Sequence, residues 1–319
     1  MRITSSKIIL IQTAIFAMSI QSSSALSAST IDQAWDYSDP VKSESNFRAM
    51  LKEQKPEAWR AEVMTQLARS LGLQRKFDEA QKVLDETQSM ITSDMQVALV
   101  RWHLEQGRVI NSGGDAAGSI ANFEQSLLLA QQAGAEYLAI DAAHMLGIVE
   151  TSETAIRWNE KALQMAESAK DTKSRGWLGP LYNNLAWTYS DRGEYKKALD
   201  LFTKDVAYRE SIGRSFEASI AAWSRAKTLR FLGRVEEALQ IQRSLLSHPD
   251  RHGKPAEGYT NEEIGECLLL LNRGAESKSH FAIAHEILSS DPWLVANEAE
   301  RLQRLKKLGE SQTLYEKMH

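Results

Sequence analysis

The chain has 319 residues, 43% of them hydrophobic and 25% charged, and carries a formal net charge of −4. These are ordinary globular values, with enough length for one sizeable core or two compact domains. The acidic balance argues against a general nucleic-acid binder, which needs a basic surface, and the single cysteine, Cys267, excludes an internal disulfide framework.

Residues 1–25 have the order of a secretory signal peptide. Arg2 and Lys7 open it, Ile8 to Ile20 is an apolar run, and Ser23-Ser24-Ala25 supplies small residues for cleavage. The run is short for a bilayer span. A mitochondrial presequence is the competing reading, because the segment is rich in Ser and Thr and its first acidic residue is Asp32. It has only one arginine, however, and its apolar residues cluster instead of forming one amphipathic face. The chain has no Asn-x-Ser/Thr sequon, so the expected location is the periplasm or the bacterial exterior.

Residues 26–57 read as a linker and an N-terminal capping helix, started by Asp39-Pro40 and followed by Pro56. All six prolines fall between helical patterns or at helix starts, where a missing N–H costs least.

From residue 58 to 292 one unit repeats. Its clearest copy is Leu185-Ala186-x-x-Tyr189, then Gly193, then Ala198-x-x-x-Phe202. Each half is one face of a helix, with the glycine breaking between them. The step of a small residue followed four positions later by a bulky one recurs at Ser43/Phe47, Ala80/Leu84, Ser119/Phe123, Ala198/Phe202 and Ser277/Phe281. Ala155 and Ala238 fill the small slot in the remaining units, and Asn159 departs from the bulky rule. Small residues let two helix backbones approach, and a single pair cannot bury its own apolar face, so stacking makes the fold. The slots recur every 36 to 43 residues. This pattern resembles the tetratricopeptide repeat, whose usual period is about 34 residues. The longer period predicts extra turn or helix in each unit. The resemblance implies an all-α, right-handed α-solenoid of stacked antiparallel helix pairs. The mature chain is similar to exported bacterial tetratricopeptide proteins of unassigned activity. Residues 293–319 read as a polar C-terminal capping helix entered through Asp291-Pro292.

Signals for chemistry are sparse. The sequence has no Walker loop, no G-x-G-x-x-G and no G-x-S-x-G. Asn111-Ser-Gly-Gly-Asp-Ala-Ala-Gly118 has no strand before it and reads as a turn. His248 and His252 have helical spacing, but Pro249 lies between them; His280 and His285 do not share a face. Cys267 sits in an apolar run and reads as a buried hydrophobe. Asp141 and His144 share a helix face and lack a nucleophile, so they read as a helix-surface hydrogen bond. The expectation is therefore no catalytic residue, no metal and no cofactor.

In tetratricopeptide proteins the first helix of each pair lines the groove where partners lie. With Tyr182, Leu185, Ala186 and Tyr189 as the packed face, the helical period puts Asn184 and Trp187 opposite it and Asn183 on the flank. The same offsets give Asp141 and His144 one unit earlier. One unit later they give Ser224 and Lys227, with Trp223 and Arg230 on the flank. Amide side chains donate and accept toward a peptide backbone at once, and Trp and Arg favour interface hot spots. Tyr182-Asn183-Asn184-Leu185 is also similar to kinesin-light-chain-type repeats, whose asparagines contact bound peptide; only Asn183 and Asn184 match. The expected function is a non-enzymatic scaffold for a protein or peptide partner. The alternatives are a self-associating structural protein or an organelle-imported adaptor.

Overall fold

A computed structural model describes residues 30–247 and 254–310. The signal segment and the His248/His252 pair lie outside the described residues. In chain order the helices are α1 (Thr30–Gln33), α2 (Pro40–Met50), α3 (Glu57–Leu73), α4 (Phe77–Met90), α5 (Gln96–Ser112), α6 (Ala116–Gln132), α7 (Glu136–Val149), α8 (Ser152–Ser168) and α9 (Thr172–Arg175). They continue with α10 (Leu178–Asp191), α11 (Tyr195–Ser211), α12 (Ser215–Phe231), α13 (Val235–Leu246), α14 (Lys254–Leu270), α15 (Gly274–Leu288), α16 (Pro292–Asn297) and α17 (Ala299–Glu310). No strand occurs among the described residues, and no described helix is long and apolar enough to cross a membrane. The chain divides within α10 into two compact units, residues 1–181 and 182–319.

Each unit is a stack of antiparallel helix pairs, such as α3/α4, α5/α6 and α7/α8 in unit 1 and α12/α13 and α14/α15 in unit 2. Local sequence sets the helix ends. Asp39 caps α2 by accepting from the Lys42 N–H at 3.0 Å, with Pro40 in the first turn. The glycine-rich stretch at 111–118 is the turn between α5 and α6, closed by Asp115, which accepts from the Gly118 N–H at 2.8 Å. Between α10 and α11, Gly193 takes φ 77° and the Glu194 N–H returns to the Tyr189 carbonyl. That left-handed turn suits a residue without Cβ.

The repeat slots are the core. Ser43, Ala80, Ser119, Ala198, Ala238 and Ser277 are buried, as are Phe47, Leu84, Phe123, Phe202 and Phe281 four residues later, whereas Ala155 is only half-buried. The bulky residue meets a small one on the first helix of its pair. A Cβ added at Gly107 would stand 2.7 Å from the Phe123 ring, and one at Gly265 would stand 2.7 Å from Phe281. Asn159 departs from the pattern without leaving the slot: its amide donates to the carbonyls of Gly147 at 3.1 Å and Ala155 at 3.0 Å. It fills the space against Gly147 with satisfied polar atoms where an aromatic ring stands elsewhere.

The C-terminal cap differs from the single polar helix expected. The backbone breaks at Glu298 (φ −131°), separating α16 from α17. Both helices bury apolar residues, Leu294 on one and Leu302 and Leu305 on the other, against Phe281, Ala284 and Leu288. Covering that end with two short apolar stripes needs the chain to change direction, which one straight helix cannot do.

Candidate functional site: the first-helix faces

In each unit, the face of the first helices turned away from the second helices carries a ladder of ion pairs. Most of its pairs join a cation on one helix to a carboxylate on a neighbouring one. In unit 1, Arg69 of α3 reaches Glu105 of α5 at 3.7 Å, and Arg108 of α5 binds Glu105 at 2.6 Å and Asp141 of α7 at 2.5 Å. In unit 2, Lys227 and Arg230 of α12 reach Glu263 of α14 at 3.3 and 2.8 Å. Arg301 of α17 binds Glu262, and Arg304 binds Glu266. Burial works to raise the Asp141 carboxyl, but the Arg108 and Arg69 guanidiniums outweigh it and hold it below its usual range. Burial opposes ionisation of Glu263 too, and Lys227 and Arg230 overcome it in the same way. Both carboxylates are therefore charged at neutral pH, and each is compensated by a cation from a neighbouring helix.

Unit 2 adds a row of aromatic rings. Trp187 of α10 stands edge-on to Phe202 at 5.2 Å and tilts toward Trp223 of α12 at 6.3 Å. Trp223 meets Tyr259 of α14 edge-on at 6.2 Å, and its indole N–H donates to the Tyr259 carbonyl at 3.4 Å. Lys227 lies 5.0 Å over the Trp223 ring and Arg301 5.3 Å over Tyr259. Rings on three successive first helices thus form one stripe, with cations lying over two of them.

The expected site residues fall into two groups. Asn183 donates to the Asn184 side-chain oxygen at 3.3 Å, and Asn184 is half-buried. Trp223, Lys227 and Arg230 keep partial exposure on the same unit, whereas Trp187 is buried at 8% exposure. Asp141 and His144 are not a helix-surface pair. Both are buried, because Arg108 of the preceding helix α5 binds Asp141 and the Trp177 ring packs 5.3 Å from His144. Ser224 is buried and turns its hydroxyl to the Ile220 carbonyl. Sequence reading passed over Arg69, Glu105, Arg108 and Glu263. In sequence they stand only as opposite charges 33 or 36 residues apart, a spacing that does not tell a paired charge from a solvated one.

Among the described residues no group of three or more His, Cys, Asp or Glu side chains is placed to hold a metal ion. Cys267 is buried, and burial together with the nearby Glu263 pushes its thiol up to about 12, so it stays protonated.

This architecture of helix pairs, with small-to-bulky slots and first-helix ladders, is a tetratricopeptide-type α-solenoid. Residues 181–212, spanning α10 and α11, match the tetratricopeptide repeat family model. Residues 181–212 thus carry a tetratricopeptide repeat, and the fold of the chain is of the tetratricopeptide type. Among solved structures it is similar to a STAND (Signal Transduction ATPase with Numerous Domains) protein with a tetratricopeptide repeat sensor from Pyrococcus horikoshii. That match has 16% identity and TM-score 0.66, covering 83% of this chain and 41% of that one. The chain therefore spans less than half the length of the Pyrococcus protein. It is also similar to apo RapI, with 12% identity, TM-score 0.64, and 98% and 83% of the two chains covered. The C-terminal part of a tetratricopeptide repeat-containing protein from Cytophaga hutchinsonii matches at 14% identity and TM-score 0.55, covering 89% and 98%. At these identities the likeness is one of fold. No curated protein matches the chain in sequence.

Proposed function

We propose that the chain is a non-enzymatic scaffold outside the cytoplasm that holds a protein or peptide on the first-helix face of unit 2. The observation that carries this reading is the stripe Trp187–Trp223–Tyr259, with Lys227 and Arg301 over its rings and Asn184 partly open beside it. Such a surface offers flat apolar area, cations and an amide that pairs with a peptide backbone, the combination from which interface hot spots are built. Trp223, Lys227, Arg230 and Asn184 are the contact residues in this reading, and Trp187 supports them from beneath. Asn183 orients Asn184. Asp141 and His144 belong to the framework of unit 1. Export rests on the order of charges and apolar residues in 1–25. It predicts that the protein recovered from a periplasmic or culture fraction begins near Leu26, which N-terminal sequencing reads directly.

The test is affinity capture from the exported fraction of the source cell, with the unaltered chain and an Asn184→Ala/Lys227→Ala chain as parallel baits. Both positions are partly exposed, so the substitutions should leave the helical circular dichroism unchanged. A protein retained by the first bait and lost from the second supports the reading. Identical captures, or recovery of the bait alone, would move binding to another surface or to self-association.

A further inference from the structure

The first-helix face of unit 1 is occupied by the chain's own N-terminal segment. Residues 31–37 cross α3, α5 and α9. Asp32 sits 3.6 Å from Arg101 of α5 and 2.6 Å from Lys173 of α9, a partner 141 residues away. The Trp35 indole N–H donates to Gln66 of α3 at 3.0 Å. Tyr37 stacks on Trp35 at 4.7 Å with an interplanar angle of 2°, and the Arg69 guanidinium lies 5.6 Å over Trp35 and 5.8 Å over Tyr37. Three kinds of recognition therefore converge on one short segment: cations for a carboxylate, an amide for an indole N–H, and a guanidinium for two rings.

We propose that this face of unit 1 is a binding site for a peptide segment of the pattern Asp-x-x-Trp-x-Tyr, and that residues 31–37 are its resident, displaceable occupant. The occupant is one helical turn of four residues, α1, too short to hold its own conformation. Its departure strands no buried cation, because Arg101 keeps Glu62 at 3.3 Å and Arg69 keeps Glu105. Ile31 and Trp35 also close the apolar cluster around Phe47 and Leu67, so the open state is rare. A segment of the same chemistry arriving from a partner meets a face that is free for only a small fraction of the time. Its apparent affinity is lowered by that fraction.

The inference does not depend on the reading of unit 2, and its test is confined to unit 1. The probe is a fluorescein-labelled peptide of residues 30–39, titrated against the full chain and against a full chain carrying Asp32→Ala and Tyr37→Ala. Both substitutions loosen the occupant and leave Gln66, Arg69, Arg101 and Lys173 in place. The variant should bind the peptide at least about tenfold more tightly than the unaltered chain, and Asp32→Lys in the peptide should abolish binding. Equal binding to both chains, no binding to a folded variant, or indifference to the peptide's charge would overturn the proposal. A second readout needs no substitution. Amides of residues 31–37 in the unaltered chain should exchange hydrogen at least about a hundredfold faster than those of Leu67 and Leu71 in α3. Excess peptide should speed the first set alone. Exchange of both sets at one common rate would show that the segment is part of the fold and not its occupant. Adding Asn184→Ala to either chain should leave peptide binding unchanged, which keeps failure here separate from failure of the unit 2 reading.

Discussion

The same substitution should have opposite effects at two glycines. A Cβ at Gly265 would stand 2.7 Å from the Phe281 ring, whereas one at Gly72, in the last turn of α3, meets nothing within 4 Å. Gly265→Ala should destabilise by about 1–3 kcal/mol through overpacking, and Gly72→Ala should stabilise by about 0.5–1 kcal/mol through lower unfolded-state entropy and better helix propensity. Urea unfolding midpoints read both signs, and a stabilised Gly265→Ala would refute the slot packing. Asp205 supplies a second residue-scale prediction. It is buried at 1% exposure with one carboxylate oxygen on Arg209 at 2.6 Å and the other unpartnered, and burial pushes its carboxyl up to about 6. The folded state thus binds this proton more tightly than the unfolded chain does. The group's contribution to stability is full below about pH 4 and is lost as pH rises through about 6. At about 1.4 kcal/mol per unit, the gain between pH 7 and pH 5 is about 1–2 kcal/mol. Half-buried His103 and buried His144, both of whose pKa values burial lowers, pull the other way over the same range. The comparison is therefore between chains: Asp205→Asn should lack the acid-side gain, and identical pH profiles would show that Asp205 titrates as it would in water.

At the scale of elements, the ion-pair ladder links one first helix to the next. Arg108 compensates both Glu105 and Asp141, each 2% exposed. Arg108→Met should cost about 3–5 kcal/mol, because it leaves buried Asp141 without its hydrogen-bonded cation and Glu105 with Arg69 alone. Adding Asp141→Leu should recover part of that loss, since two apolar groups need no compensation. A double variant no more stable than the single one would show that Asp141 does not depend on Arg108. The helix pairs were legible from the Ser43, Ala80, Ser119, Ala198, Ala238 and Ser277 slots, because close approach of two backbones demands a small residue whatever surrounds it. The ladder was not. A charged residue on a helix face has the same local signature whether it meets water or the next helix, and only stacking decides which.

For the molecule as a whole, neighbour-only contacts should make damage local. Ala186→Asp places a carboxylate in a fully buried slot on α10. Amide protection should fall first in α10 to α12 and last in α15 to α17. Uniform loss along the chain would mean that unfolding is a single cooperative event. The tryptophans show the limit of reading at this scale. The helical period puts Trp187 opposite its packed face and Trp223 on the flank, yet Trp187 is buried against Phe202 while Trp223 keeps partial exposure.

By itself the sequence determined the all-helical class, the repeat and its long period, the turn at 111–118, the Asp39-Pro40 helix start and the inert character of Cys267. Each of these depends on a backbone preference or a packing slot that repeats within one helix pair. Tertiary structure alone decided that Asp141 and His144 are framework, that cations and carboxylates from different pairs neutralise one another, and that residues 31–37 lie across α3, α5 and α9. Those outcomes depend on side chains that meet from 31 to 141 residues apart. Contacts at such separations follow from how helix pairs stack, which leaves no local trace in the chain.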